Sequence, residues 1–399
     1  MKTRVDVLAV AAALMGALYP LEGNARGSKV CGAQPSSITA NGFNNGGPGL
    51  DGDHTCAIVN GAAHCWGNNF TGQLGNNSTT NSSVPVPVSG LTRGVTAIAA
   101  GDVHTCAIVN GGVLCWGFNP FGQLGPPGGG ESDVPVPVSG LTSGVTAIAG
   151  GGDYNCAIVN GGAQCWGINQ HGELGGDLAS NVDSEPTTVA GLASGVQAIA
   201  TGSEHACAIV NGGARCWGDN TFGELGSSTS QVCPFGDPCS TRPVQVSGLT
   251  SGVTAIGAGF GFTCAIVNGG VQCWGLNDKG QLGNNSTASS AVPVPVSGLS
   301  IDASAVAVGG DFACAIANGG VQCWGDNAFG QLGNNSTTSS AVPVPVSGLT
   351  SGVTAIAAGA DHNCAIVSGG VECWGLNSDG ELGDNSTANS SVPVSVSGL

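Results

Sequence analysis

The chain has 399 residues, of which 71 are Gly and only 8% are charged, and its formal net charge is −17 from 25 acids against 8 Lys and Arg. Long helices are rich in Ala, Glu, Lys, Leu and Arg, so the composition argues against a helical body. Nucleic-acid binding draws on cations that neutralise phosphates, and an anionic membrane surface repels a chain of this sign; both are excluded as partners.

The N-terminus, MKTRVDVLAVAAALMGALYPLEGNARG, begins with Lys2 and Arg4, continues with an apolar run over 7–18, and offers Gly23 and Ala25 before a cut. The run is too short to span a bilayer but suits a signal peptide over residues 1–25, which predicts export. Removing it takes away Lys2, Arg4, Asp6 and Glu22, so the charge is unchanged. No other stretch could span a bilayer.

From there the chain repeats itself. Trp occurs at 66, 116, 166, 217, 274, 324 and 374 and nowhere else, at steps of 50 or 51 except one of 57. A fixed period fixes the architecture before any local reading does. Each unit offers four short β segments, typified by VTAIA, CAIV, VQCW and VPVPV. An Asn-Gly loop joins the middle pair, the strongest short-range hairpin signal. Pro at alternate positions, such as Pro85 and Pro87, removes donors from one edge of the last segment, which must then be an outer edge strand. The small-residue VTAIA segment suits a crowded inner strand. Four-stranded units repeated radially make an all-β fold, a seven-bladed β-propeller with four antiparallel strands per blade over residues 53–399. Good inner-strand copies start at Val95, Val145, Val196, Val253, Ala303 and Val353. The seventh is degenerate, so the N-terminal segment 26–52 is expected to complete the first blade, with the strand itself drawn from 33–52.

Seven Cys pairs stand nine positions apart. Counting outward from the Asn110-Gly111 turn, Cys106 faces Cys115 at a non-hydrogen-bonded position, where Cα atoms approach to about 4.5 Å, within disulfide range. The same register sets Cys56 opposite Cys65, Cys156 opposite Cys165 and Cys207 opposite Cys216. It likewise sets Cys264 opposite Cys273, Cys314 opposite Cys323 and Cys364 opposite Cys373. Zinc would need four converging ligands, which isolated pairs around a ring do not supply. Disulfides fit the oxidising compartment that the leader implies. Cys233 and Cys239, in CPFGDPC, are expected to close an extra loop, which leaves Cys31 over as a free thiol, a link to another chain or a tail residue.

The run CWGDNAFGQLGNNS at 323–336 is similar to the repeat of the regulator of chromosome condensation family, with its Trp-Gly-x-Asn-x-x-Gly-Gln-Leu-Gly motif. All seven Trp sites carry this motif, with Gln or Glu before the Leu, so the resemblance covers residues 52–399. It implies a propeller fold. The family's namesake is an exchange factor for a small GTPase that binds chromatin; the leader, the stapled hairpins and the acidity depart from that member. Secreted bacterial members, including propellers that cap β-lactamases with one face, are nearer in these respects. The resemblance then implies a protein-binding platform or inhibitor.

No Gly-x-Ser-x-Gly elbow, His-Glu-x-x-His helix or phosphate loop is present, and the reading is of a protein that is no enzyme and uses no cofactor or metal. Gly257 to Gly261 reads as one copy of the inner-strand ending. His54, His104, His205 and His362 share a repeat position with Tyr154, Phe262 and Phe312, which marks a packing site for a flat ring. Asp53, Asp153, Glu204, Asp311 and Asp361 form a rim that reads as solvated acids at strand starts, or as a weak cation site or a docking collar for a basic partner. The Asn-Asn-Ser-Thr segments at 76–79, 284–287 and 334–337 match glycosylation acceptors but recur as turn chemistry does. The two variable residues after Trp-Gly-x-Asn are the candidate binding positions, and they bring Phe70, Phe121, His171, Phe222 and Phe329 to one face. The rival reading tucks these rings over the turn glycine. The expectation is a secreted binding protein with a protein partner; the alternatives are a structural cell-surface protein and a GTPase exchange regulator.

Overall fold

The computed structural model describes residues 35–41, 53–125, 130–176, 181–229, 231–299 and 301–399. The leader expected over 1–25 and the leftover Cys31 lie outside them.

Seven antiparallel sheets form the ring, each built from strands consecutive in the chain. The first blade comprises β1 (Pro35–Asn41), β2 (His54–Val59), β3 (Ala62–Gly67) and β4 (Ser82–Pro87), hydrogen-bonded in that order. The strand missing from the repeat pattern is therefore supplied at Pro35–Asn41, with Ile38 opposite Ala57 and Thr39 opposite Cys56. The inner strands of the other blades are Val95–Ala100, Val145–Gly150, Val196–Thr201, Val253–Ala258, Ala303–Val308 and Val353–Ala358. Their small side chains let seven strands converge on the axis, around a cavity of about 200 Å³ lined by residues such as Thr39, Ala99, Thr201 and Val308. The Pro-alternating segments are the outer strands, as the lost donors require. Blade 4 departs from the pattern: the short strand Gln231–Val232 pairs outside Pro238–Gln245 and makes its sheet five-stranded.

Register follows from the hairpin turns. Asn60, Asn110, Asn160, Asn211, Asn268, Asn318 and Ser368 take φ between 51° and 53°, each followed by a Gly also at positive φ. Two such residues in succession make the type I′ turn whose twist matches the flanking strands. Counting outward then brings every Cys pair opposite, and all seven hairpins are bridged as the register requires. Cys56 is bonded to Cys65, Cys106 to Cys115, Cys156 to Cys165 and Cys207 to Cys216. Cys264 is bonded to Cys273, Cys314 to Cys323 and Cys364 to Cys373. Their Cα separations are 4.0–4.1 Å. The bridge between Cys233 and Cys239 forms as well.

The core is divided among the junctions between blades. In one, Cys106, Cys115, Leu124, Val138 and Leu141 of blade 2 enclose Trp166 of blade 3. All seven Trp are fully buried, each removing on the order of 200 Å² from water. Each indole N–H donates to the backbone carbonyl of the Gln or Glu in the preceding blade's motif: Trp116 to Gln73, Trp166 to Gln123, Trp217 to Glu173, Trp274 to Glu224, Trp324 to Gln281, Trp374 to Gln331, and Trp66 to Glu381, all at 2.8–3.0 Å. The motif's last glycine lies under the same ring. At Gly75, with φ 66°, an added Cβ would stand 2.6 Å from Trp116 Nε1. This explains why Trp and the closing Gly recur together.

The shared ring position is a second inter-blade joint. His54, His104, His205 and His362 are fully buried. Their Nε2 atoms meet Thr105, Asn155, Thr263 and Thr55 of the neighbouring blade at 2.7–2.9 Å. Thr55 spends its one hydrogen on the Glu381 carbonyl, so His362 must be the donor and carries its proton on Nε2. Burial pushes His104 and His205 down to about 4 and His362 to about 3. They are neutral packing groups. Where the ring is Tyr154 or Phe262, the facing residue is Ala206 or Ala313, which offers no polar side chain to satisfy.

A candidate interaction face

Successive strands run in opposite directions, so the loop after each inner strand and the loop before each outer strand emerge at the same end of the ring. Bonds between them confirm it: Thr71 Oγ1 donates to the Val103 carbonyl at 3.0 Å, and Gln123 Nε2 to Asp153 Oδ1 at 2.9 Å. The hairpin turns and blade links occupy the other end.

The motif Asn is the scaffold of each outer loop. Asn69 Oδ1 accepts the Leu74 N–H, and its Nδ2 donates to the carbonyls of Ser78 and Thr80. The following Asn77, at φ 61°, donates its N–H to the Asp133 carbonyl of the next blade. The Asn-Asn-Ser-Thr segments thus serve as turns that dock one blade on the next. The motif Gln or Glu accepts the backbone N–H two residues before it in all seven loops, for example Phe121 to Gln123 and Phe329 to Gln331. With the backbone pinned on both sides, the variable pair between them is free to differ.

Phe70, Phe222 and Phe329 are exposed, Phe70 most of all at 65%, while Phe121 and His171 are half-buried. Phe222 does not fold over its own turn. Its ring lies against Gly261 of blade 5, where a Cβ would stand 2.7 Å from Phe222 Cδ2. The five positions spread over blades 1, 2, 3, 4 and 6 of one face and converge on no cleft.

His171 sits among carboxylates: Glu173 at 3.4 Å, and Glu204 and Asp237 each at 3.8 Å. The Glu173 contact, helped by Glu204, outweighs partial burial and raises it to about 9, so it is a cation at neutral pH. Glu173 stands two residues away in the motif and is visible in the sequence, whereas the contact with Asp237 is not, because Asp237 comes from the Cys233–Cys239 loop. That loop also sets Phe235 with its ring centroid 5.9 Å from the His171 ring. Phe235 and Val232 are exposed at 59% and 62%, and Phe260 at 36%. These three were missed by repeat alignment because the first two belong to the inserted loop and Phe260 to a strand-end glycine run.

The acid rim is not simply solvated. Asp153, Asp311 and Asp361 accept Gln123, Gln281 and Gln331 of the preceding blade at 2.9–3.2 Å. Burial raises Asp153 and Asp311 to about 6. In blade 7 the donor position is Glu381, facing the buried Asp53 of blade 1, and Glu381 Oε1 has no hydrogen-bond partner. No group of three or more His, Cys, Asp or Glu among the described residues could hold a metal ion. No helix among them is long and apolar enough to cross a membrane.

A closed ring of seven stapled blades with one variable loop face defines a repeat β-propeller. The family described as regulator of chromosome condensation (RCC1) repeat matches residues 60–108, 110–158, 268–316 and 318–366, and its second form matches 95–123, 196–224, 253–281, 303–331 and 353–381. The chain belongs to this family. Among solved structures it is similar to human WBSCR16 (22% identity, TM-score 0.74, covering 84% of this chain and 94% of that one). It is also similar to Prp20p from Saccharomyces cerevisiae, described with its binding properties to Gsp1p and histones (21%, 0.73, 84% and 86%). A third is the CRINKLY WD40 ectodomain of the Arabidopsis thaliana receptor kinase ACR4 (20%, 0.51, 91% and 98%). At these identities the likeness shows the fold alone. Among curated protein sequences none matches the chain.

Proposed function

We propose that this is an exported, non-enzymatic propeller, with residues 1–25 as its leader, that captures a protein partner on the loop face. The observation that carries the reading is the exposure of Phe70, Phe222 and Phe329 on one rigid face, at positions the loop scaffold leaves free to vary. Exposed aromatic rings are favoured anchors in interfaces, and their spread around the ring suits a broad partner better than a small ligand, which wants one concave cleft. Eight bridges are compatible with an oxidising compartment. Prp20p is described as binding Gsp1p and histones; an exchange role here rests on family likeness alone, and durability as a surface protein on the bridges alone.

The test has two stages. The partner is first identified by affinity capture from the secreted fraction with the intact chain as bait. Phe70→Ala, Phe121→Ala, Phe222→Ala and Phe329→Ala are then combined. Anchors cost about 2 kcal/mol each when truncated, whereas surface changes shift stability by about 0.5 kcal/mol. Lost capture with preserved melting supports the reading; unchanged capture removes it.

A further inference from the structure

The loop face is not uniform. Around blade 4 three exposed rings come from three separate elements: Phe222 from its outer loop, Phe235 from the disulfide loop, and Phe260 from the inner loop of blade 5. Each rests on a neighbouring blade, two through the ring and one through its backbone. Phe222 occupies the space that Gly261 leaves where most blades carry an acid. Phe235 leans on the His171 ring of blade 3, and the Phe260 N–H donates to the Gly310 carbonyl of blade 6 at 3.4 Å. Val232, on the short strand that leads into the same loop, is exposed as well. Exposed hydrophobes scattered singly need no explanation, but these three stand at successive junctions on one side of the face, between blades 3 and 4, 4 and 5, and 5 and 6.

Charge decides what fits there. Carboxylates border the sector, with Glu204, Asp237 and Asp278 each about half exposed. His171 is already engaged by Glu173, Glu204 and Asp237, and Lys279 by Asp278 at 3.8 Å. The opposite end carries no such bias, since among the described residues its turns and links hold only Arg93 and Asp302 as charged groups. Arg and Lys present an apolar stem and a cationic head. Such side chains can lie across Phe faces while their heads meet carboxylates.

Resting on the reading above, we infer that the sector of blades 4 and 5 is the docking site of a cationic, Arg- or Lys-bearing loop or tail of a partner protein. The rest of the face widens the contact around it.

Random dodecapeptides displayed on phage, panned against the immobilised full chain, test this without knowing the partner. The expected peptides carry net positive charge with an apolar residue beside it. Their binding should fall about tenfold from low to physiological salt. It should also fall by about tenfold or more in two variants, F222A with F235A and F260A, and D278N with E204Q, and should hold in F70A with F329A. Melting of each variant is measured alongside, and the two sector variants alter different atoms, so a fold defect in one leaves the other informative. Neutral or acidic peptides, no enrichment at all, or binding that survives both sector variants overturns the inference. In the last case, loss in F70A with F329A keeps the face reading and moves the site. Indifference to every one of these changes sinks both.

Discussion

The Trp66 indole N–H donates to the Glu381 carbonyl at 2.8 Å across 315 residues of chain. The other six Trp make this bond to a blade that precedes them in sequence; here it joins the first blade to the last. Thr55 Oγ1 donates to the same carbonyl, and Asn68 Nδ2 and Asn81 Nδ2 reach the Asp379 carboxylate at 2.7 and 2.8 Å. The seam thus carries the pair of bonds that Trp116 and Thr105 make to the Gln73 carbonyl, with the two bonds to Asp379 in addition. Trp66→Phe removes this donor while Thr55 still satisfies the carbonyl, so the lost bond costs about 0.5–1.5 kcal/mol, and the smaller ring adds a cavity cost. Hydrogen exchange should quicken in blades 1 and 7 before the remainder; uniform loss of protection would contradict a seam-specific effect.

Glu381 and Asp53 make that seam sensitive to pH. Burial, with a contribution from Asp379, pushes Glu381 up to about 7. Burial first, then the charges of Asp361, Glu381 and Asp102, raises Asp53 well above the usual carboxylate range. The folded state therefore holds protons that the unfolded chain gives up at about pH 4, and the stabilisation is lost as pH rises from there through 7. Glu381→Gln restores the amide that Gln123, Gln281 and Gln331 present to their facing acids. The variant should gain on wild type by about 1–3 kcal/mol more at pH 8 than at pH 5. A gain equal at both pH values would show that the carboxylate is not the cause.

His362 works in the other direction. Its folded value near 3 lies below the ordinary 6.5, so its contribution is intact above pH 6.5 and is lost as pH falls toward 3. Phe already fills this position at Phe262 and Phe312. His362→Phe should cost about 1 kcal/mol at neutral pH, for the bond to Thr55. Between pH 7 and 4.5 it should then lose about 2 kcal/mol less than wild type in chemical denaturation. Parallel stability curves would refute the assignment.

Mass spectrometry of the unreduced chain should find eight intramolecular bridges, with one cysteine left over as a free thiol or as a link to another chain; hairpin cysteines open to alkylation before reduction would refute this. All the hairpin sulfurs are buried, so reductant without denaturant should leave the seven hairpin bridges intact. Replacing Cys106 and Cys115 together by Ala should cost at most about 3 kcal/mol, and less where the Asn110-Gly111 turn already favours closure.

Much of the fold was legible because its causes are local. The Asn-Gly turns set the register that brings Cys106 to Cys115, and alternate prolines place Ser82–Pro87 at an edge. Pro35–Asn41 was legible only by elimination: SSITAN keeps one aliphatic residue, Ile38, where the other inner strands keep more. The face was partly legible. The loop positions of Phe70, Phe222 and Phe329 followed from repeat alignment, but the bonds from Gln123 to Asp153 and its counterparts cross between blades. So does the pairing of His171 with Asp237 from an inserted loop. Such contacts depend on how units are set side by side, which no periodicity within one unit encodes.

Each sheet begins and ends within one unbroken stretch of chain, and no sheet borrows a strand from another unit. A unit duplicated or lost from one blade link to the next would therefore cut the polypeptide between sheets. A protein built this way can change its number of blades in whole steps, and new termini could be opened at any link, such as 89–94, while the old ends are joined. The near-verbatim recurrence of GLTSGVTAIA at 140, 248 and 348 is what copying in whole units leaves behind.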